Sequence, residues 1–257
     1  MISDELSQLS RGEQQEDSVN PANEDLQQFL SLLQQLKVKG CNILVVGDPA
    51  RNVFTECSNH LFGDDDALRQ RIFAVTDAHP ESIVDRLPDP NVAPRPVSNT
   101  TTVLNHAGPP RSITAATDLD TEPALAGIEE IQIADPNLQG LQSELIEAIE
   151  ETAWENDPIR PAEIRVGLDS LGPLLKHYPL SVVKRFLRKT TSTVLQHDAM
   201  AHYLLMEPYG HDYVQELTSE FDAIVELRSV DPETNGHDAE QRWRVPSAGL
   251  TMDWLPV

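Results

Sequence analysis

Asn42-Ile43-Leu44-Val45-Val46-Gly47, followed by Asp48-Pro49-Ala50-Arg51-Asn52-Val53-Phe54, is the stretch on which the fold turns. The first six residues form a short apolar run with β-branched members that stops at a glycine, the pattern of a strand buried on both faces of a parallel sheet. The period then changes, because Val53, Phe54, Cys57 and Leu61 within residues 52–62 recur at helical spacing. A second strand-like run, Ile72-Phe73-Ala74-Val75-Thr76-Asp77, comes next. Residues 42–77 therefore read as a βαβ unit, the building block of an open parallel sheet.

Working outward, Leu26, Phe29, Leu30, Leu33 and Leu36 mark one face of a helix after Asn20-Pro21; Gly40 stops it behind Lys37 and Lys39, where the helix dipole favours cations. Residues 1–20, rich in Ser, Gln, Glu and Asp without an apolar period, are expected to be a disordered acidic tail. Beyond the second strand, residues 86–112 carry Pro88, Pro90, Pro94, Pro96, Pro109 and Pro110 and predict a loop-rich excursion with a short strand at Thr100–Leu104. Leu138, Leu141, Leu145 and Ile149 predict a helix after Asp135-Pro136, and Ile164–Asp169 a strand. A helix opened by Pro179 buries Val182, Val183, Phe186, Leu187 and Val194. The runs Met200–Met206 and Phe221–Leu227 flank a short helix around Val214 and Leu217; Trp243 and Val245 alternate with Arg242 and Arg244 as a half-exposed edge strand would. The expected fold is α/β, a three-layer α/β/α sandwich with a mostly parallel central sheet, formed by residues 21–257 as one domain.

The chain has 42 acidic and 19 basic side chains and a formal charge of −23. Only five cations are lysines, at positions 37, 39, 176, 184 and 189; the other fourteen are arginines. So negative a surface lacks the basic footprint that a nucleic-acid binder needs to displace counterions. Dense carboxylates with scarce lysine suit a salt-saturated cytoplasm, so a halophilic source is expected, with an acidic interaction protein or nucleic-acid mimic as the alternative. Cys41 and Cys57, sixteen positions apart, form neither a C-x-x-C pair nor a disulfide framework and read as buried thiols. An acidic N-terminus without an apolar core, and no uninterrupted apolar stretch of about 18 residues, lead us to expect a cytoplasmic protein without a membrane partner.

In a doubly wound sheet the residues just past each strand carry the chemistry. A phosphate-binding loop, G-x-x-x-x-G-K-[ST], needs glycine to turn backbone amides toward phosphate, lysine for the terminal phosphates and a hydroxyl for Mg²⁺. Here Gly47 survives, Asp48 adds a negative charge, and Asn52, Val53 and Phe54 hold the last three places. The second strand runs into Asp77-Ala78-His79-Pro80-Glu81, and the later one into Asp169-Ser170-Leu171.

This order of a glycine loop after the first strand, an acid with x-x-P-E after the second, apolar-Asp-Ser-Leu after a central strand, and Phe221–Leu227 as a late strand resembles the KaiC/RadA-like branch of the RecA superfamily. It is particularly similar to haloarchaeal members whose phosphate loop has degenerated. The resemblance covers about residues 24–257 and implies a RecA-like fold. It implies that Asp169 matches the Walker B aspartate that supports Mg²⁺, and that Asp77 falls where KaiC-like ATPases keep catalytic glutamates. Without the lysine and the Ser/Thr, bound ATP and Mg²⁺ are disfavoured and no resident cofactor is expected.

The expected function is therefore a catalytically degenerate RecA/KaiC-like regulatory or scaffolding protein acting through protein partners or its own oligomers. A noncanonical nucleotide-binding protein or weak ATPase using Asp77 and Asp169 is the alternative. A serine hydrolase is a remote third: Ser170, Asp222 and His237 follow the Ser…Asp…His order, but Leu168 replaces the first glycine of G-x-S-x-G. His197, Asp198, His202 and His211 lack a specific ligand spacing, and no metal site is expected there. Lys184, Arg185, Arg188 and Lys189 place four cations within six residues of one helix, either a solvated face or a docking patch for an acidic partner.

The charge makes a direct prediction about salt. Lowering KCl from molar concentration to about 0.1 M lengthens the Debye screening distance from about 3 Å to about 10 Å. Circular dichroism should then record a lower melting temperature, and an unchanged one would remove the halophilic reading.

Overall fold

The computed structural model describes residues 21–76, 83–106, 123–133 and 137–257. The expected acidic tail at 1–20, the acid Asp77 and residues 107–112 of the proline-rich excursion lie outside them. The elements run α1 Pro21–Lys39, β1 Cys41–Gly47, α2 Arg51–Phe62, β2 Gln70–Val75, β3 Thr101–Asn105, β4 Glu129–Gln132, α3 Leu138–Glu155 and β5 Ile164–Asp169. They continue with α4 Leu171–His177, α5 Leu180–Gln196, β6 Met200–Leu205, α6 Asp212–Leu217, β7 Ala223–Ser229, α7 Pro232–Asn235, β8 Ala239–Val245, β9 Leu250–Thr251 and β10 Leu255–Pro256.

The protein is an α/β sandwich around one mostly parallel sheet of strand order β10-β8-β7-β1-β6-β5-β2-β3-β4, with β9 joined to β8. Strands β7 through β4 are parallel, whereas β8 runs antiparallel to β7. Parallel strands need helical crossovers, and these cover both faces. On one face α3, α4, α5 and α6 bury Leu141, Leu145, Leu174, Phe186 and Leu217 against Leu44, Val166 and Tyr203. On the other, α1 and α2 bury Phe29, Phe54 and Cys57 against Ile43, Val45, Val225 and Trp243. Every residue of β1, β2, β5 and β6 is buried, as continuous apolar runs require when both faces are covered.

Several local differences from the sequence reading have simple causes. A separate helix, α4, precedes the one opened by Pro179, and Tyr178 between them is extended, the conformation a following proline favours. Strand β4 was not expected, because its residues Glu129–Gln132 are half-exposed or exposed and carry no buried apolar run. β8 does alternate, with Trp243 buried and Arg242 and Arg244 half-buried, yet short pairings with β9 and β10 flank it, so it is not a bare edge.

The amino and carboxyl ends of the sheet are built differently. At the amino end, Asp222 accepts from the Asn42 backbone N–H at 2.8 Å, and Tyr203 donates to the Asn42 side-chain oxygen at 3.1 Å. There too Arg165 donates to the Leu61 carbonyl and Arg71 to the Gly63 and Asp64 carbonyls, so two buried guanidiniums satisfy the orphan end of α2. Burial lowers both arginines' pKa to about 10, with neighbouring arginines adding to the effect. The carboxyl end is open, and registers such as Val46↔Leu205 and Val75↔Asp169 bring the ends of β1, β6, β5 and β2 to one level.

Candidate functional site

The loop between β1 and α2 is three residues long, Asp48-Pro49-Ala50. Gly47 at its start has φ +146°, and a Cβ there would lie 2.3 Å from the Leu227 carbonyl oxygen. The close approach of β7 therefore demands the glycine whether or not a ligand binds. Pro49 offers no N–H, and the Val53 N–H is bonded to the Ala50 carbonyl at 3.1 Å, which withdraws both positions from a phosphate cradle. Val53 and Phe54, in the places of the lysine and the metal hydroxyl, are buried core residues of α2. Asp48 and Asn52 are exposed. These residues do not fit a Mg·nucleotide group.

Asp169 ends β5, one strand removed from β1, and is 1% exposed. Its Oδ2 accepts from Arg51 Nη2, at the start of α2, and from Arg86 Nη2, in the turn after Ile83 and Val84. The Arg86 side chain is 1% exposed and that of Arg51 34%. A buried carboxylate is tolerated only when paired, and here two guanidiniums hold it. The Asp169 Oδ1 has no hydrogen-bond partner among the described residues. Asp169 cannot serve as an open metal ligand while both arginines hold it, because two positive groups occupy the ground a divalent cation would need. The sequence reading missed both arginines. Arg51 stood inside the quoted loop, and its signal was a lone cation at a strand end in a cation-poor chain; Arg86, nine residues past Asp77, gave no local signal.

Next to this lock, Ser170 donates its N–H to Thr76 Oγ1 at 2.9 Å, and Thr76 Oγ1 donates to the Ser170 carbonyl at 2.7 Å. The exchange staples β2 to β5 beyond the last ladder pair. Ser170, Thr76, Leu205 and Met206 border a cleft of about 620 Å³ at the carboxyl ends of β2, β5 and β6. Chain elements leave it in opposite directions, α2 from β1 toward one face and α4 from β5 toward the other, which is how ligand crevices arise in open α/β sheets.

The other candidates separate. Ser170 stands at the carboxyl end of β5, whereas Asp222 precedes β7 at the amino end and bonds Asn42. His237 pairs with Glu240 beside β8, four ladder steps from β5, or about 19 Å at about 4.8 Å per step. No hydrolase triad forms from these three. His202 is fully buried, lies 2.7 Å from Ser58 Oγ and edge-on to Phe62, and its pKa falls to about 3 through desolvation, then through Arg86 and Arg165. His197 and Asp198 cap α5, and His211 caps α6, accepting from Tyr213 N–H at 3.2 Å. Among the described residues no three His, Cys, Asp or Glu groups converge as a metal site would require. On α5, Lys184 pairs with Glu216 and Arg188 with Glu220, while Arg185 and Lys189 face solvent. Cys41 and Cys57 are free buried thiols, pushed up to about 12 by desolvation. No helix of the described residues is long and apolar enough to cross a membrane.

The fold and its crevice define an α/β sandwich protein whose switch-point acid is paired with arginine. A family model described as DUF7504, a family of unknown function, matches residues 40–227, from the turn before β1 into β7. The chain belongs to that family. No curated protein matches it.

The pairing predicts the behaviour of one substitution. Asp169→Asn leaves the shape and removes the charge that holds Arg86 inside, so unfolding in urea at molar KCl should show a loss of about 3 kcal/mol. A carboxylate kept for metal would give the opposite result: no loss, or a gain, in metal-free buffer.

Proposed function

We propose that this protein is a RecA/KaiC-like domain that has lost metal-dependent nucleotide hydrolysis and acts as a regulatory or scaffolding protein through protein contacts. One observation carries the reading: the acid in the Walker B-like place is buried between Arg51 and Arg86. Phosphoryl transfer depends on a Mg²⁺ held by that acid and by a loop hydroxyl. Here the acid is committed to two guanidiniums, and Val53 and Phe54 are packed into the core. The one-strand separation of the Gly47 loop from Asp169 supports the RecA-like part, because such an acid has to lie beside the phosphate loop.

A scaffold needs a face for its partner, and α5 supplies one. Lys184 and Arg188 are held by carboxylates of the following segment, which fixes the helix surface. Arg185 and Lys189 extend outward from it, cations on a chain of net charge −23, and suit an acidic partner.

Two measurements test the proposal. Calorimetry with Mg·ATP at molar KCl should show no saturable binding below about 1 mM, since only backbone amides opposed by Asp48 remain; a micromolar isotherm abolished by Asp169→Asn would make the protein a nucleotide-binding enzyme instead. For the partner surface, Arg185→Glu with Lys189→Glu should leave stability within about 0.5 kcal/mol of the parent, as exposed substitutions do. The same double variant should lose a partner that co-purifies with the parent at high salt. Retention of that partner would assign the helix face to solvent alone.

A further inference from the structure

Beside the arginine-held acid, the cleft at the carboxyl ends of β2, β5 and β6 carries a feature that the packing of the fold does not use. Ser170 is 1% exposed, borders the cleft, and its Oγ has no hydrogen-bond partner among the described residues. Leaving a buried hydroxyl unpaired costs about 1–3 kcal/mol, and the Ser170 backbone groups are already satisfied by Thr76. Gly172 stands on the same wall, and a Cβ built on it would meet Ser170 Oγ at 3.7 Å, an ordinary van der Waals contact. The hydroxyl thus looks toward a part of the wall that is kept free of side chain.

The remaining lining has two characters. Leu205, Met206, Pro173 and Tyr213 give apolar surface, and Met206 and Tyr213 are among the few large apolar side chains left exposed, at 36% and 39%. Lys176, an exposed ammonium on α4, stands on the cleft with His177. Glu207 also lines the cleft, and His211 Nε2 lies 3.7 Å from its carboxylate. Arg51 adds a second cation at the border, its Nη1 3.4 Å from Met206 Sδ. At molar salt the field of the acidic surface fades within about 3 Å, so contact groups of the cleft, not the charge of −23, decide what binds there.

We infer that this cleft binds a small organic anion with an apolar or aromatic body, its acidic group held by the Ser170 hydroxyl and the Lys176 ammonium and its body laid on Leu205, Met206 and Tyr213. The volume of about 620 Å³ suits one drug-sized molecule. Binding needs neither metal nor nucleotide, so the inference stands whether or not the pseudo-ATPase reading does.

The probe is 8-anilinonaphthalene-1-sulfonate, an aromatic sulfonate, with N-phenyl-1-naphthylamine as its uncharged counterpart, titrated into the folded full chain in molar KCl. The sulfonate should saturate one site per chain and bind at least about tenfold tighter than the neutral amine, the worth of one charge-assisted hydrogen bond. Lys176→Glu, a change at an exposed position, should weaken the sulfonate by about tenfold or more and leave the neutral amine within about twofold. Gly172→Leu, which fills the cleft from a helical position where a Cβ makes only an ordinary contact with Ser170 Oγ, should abolish both signals; if circular dichroism shows this variant unfolded, the Lys176→Glu comparison decides alone. No saturation, equal affinity for the two probes, or a sulfonate affinity unmoved by Lys176→Glu would each overturn the inference.

Discussion

The carboxylate of Asp169 is where three separate pieces of the chain meet. It ends the central strand β5; Arg51 brings the first turn of α2 to it, and Arg86 brings the turn beyond β2. Ladder hydrogen bonds fix neighbouring strands, but they do not fix what leaves the sheet. The two ion pairs do that. Guanidinium suits the task better than ammonium, because its planar fork lets several donors act at once and it remains charged when buried. The two guanidiniums reach it from different surroundings, Arg51 a third exposed and Arg86 inside.

Cations are scarce in this chain, and their placement follows the demands of the sheet. Arg165 and Arg71 close the carboxyl end of α2 with hydrogen bonds to backbone carbonyls, a role that leaves no charge for the surface. Arg242 and Arg244 share Glu226 across β7 and β8, and Arg228 pairs with Glu240 on the same strands. Arg228 and Arg242 also lie over the Trp254 ring at 4.0 and 4.3 Å. This ladder covers the antiparallel end of the sheet on the face opposite α1, with aromatic and ionic contacts there. Individually exposed pairs of this kind add little stability; as a connected network they hold the last strands in register.

The strands of the core were legible because burial on both faces leaves room for few polar residues, so Asn42–Gly47, Ile72–Val75 and Ile164–Asp169 stand out as mainly apolar blocks, with Asn42, Arg165 and Asp169 each tied up by hydrogen bonds. β4 was not legible, since Glu129–Gln132 takes its place through backbone pairing with β3 and buries little. The site was half legible. Position after a strand singled out Asp169 and Ser170, and that geometry needs only the order of elements. What the acid does depends on Arg86, which is separated from it by 83 residues and reaches it only when β2 pairs with β5. No spacing rule encodes such a contact. Gly47 shows the converse, for its resemblance to a phosphate-loop glycine is explained equally well by the carbonyl of Leu227.

A buried ion triple is a poor source of net stability, because desolvation offsets most of the attraction, and apolar side chains of similar volume often do as well. Its strength lies in geometry: directed hydrogen bonds specify one arrangement where apolar packing tolerates several. On the reading proposed above, in which the acid stands in a Walker B-like place, this is a substitution of one electrostatic function for another. A catalytic carboxylate has to be charged and accessible to the metal; Asp169 is held by guanidiniums and inaccessible. The same lock that withdraws the acid holds the neighbouring wall still, since Ser170 follows Asp169 directly and is stapled to Thr76 on β2. A rigid crevice with one unpaired hydroxyl is then available for recognition, and recognition, unlike hydrolysis, needs no open coordination position.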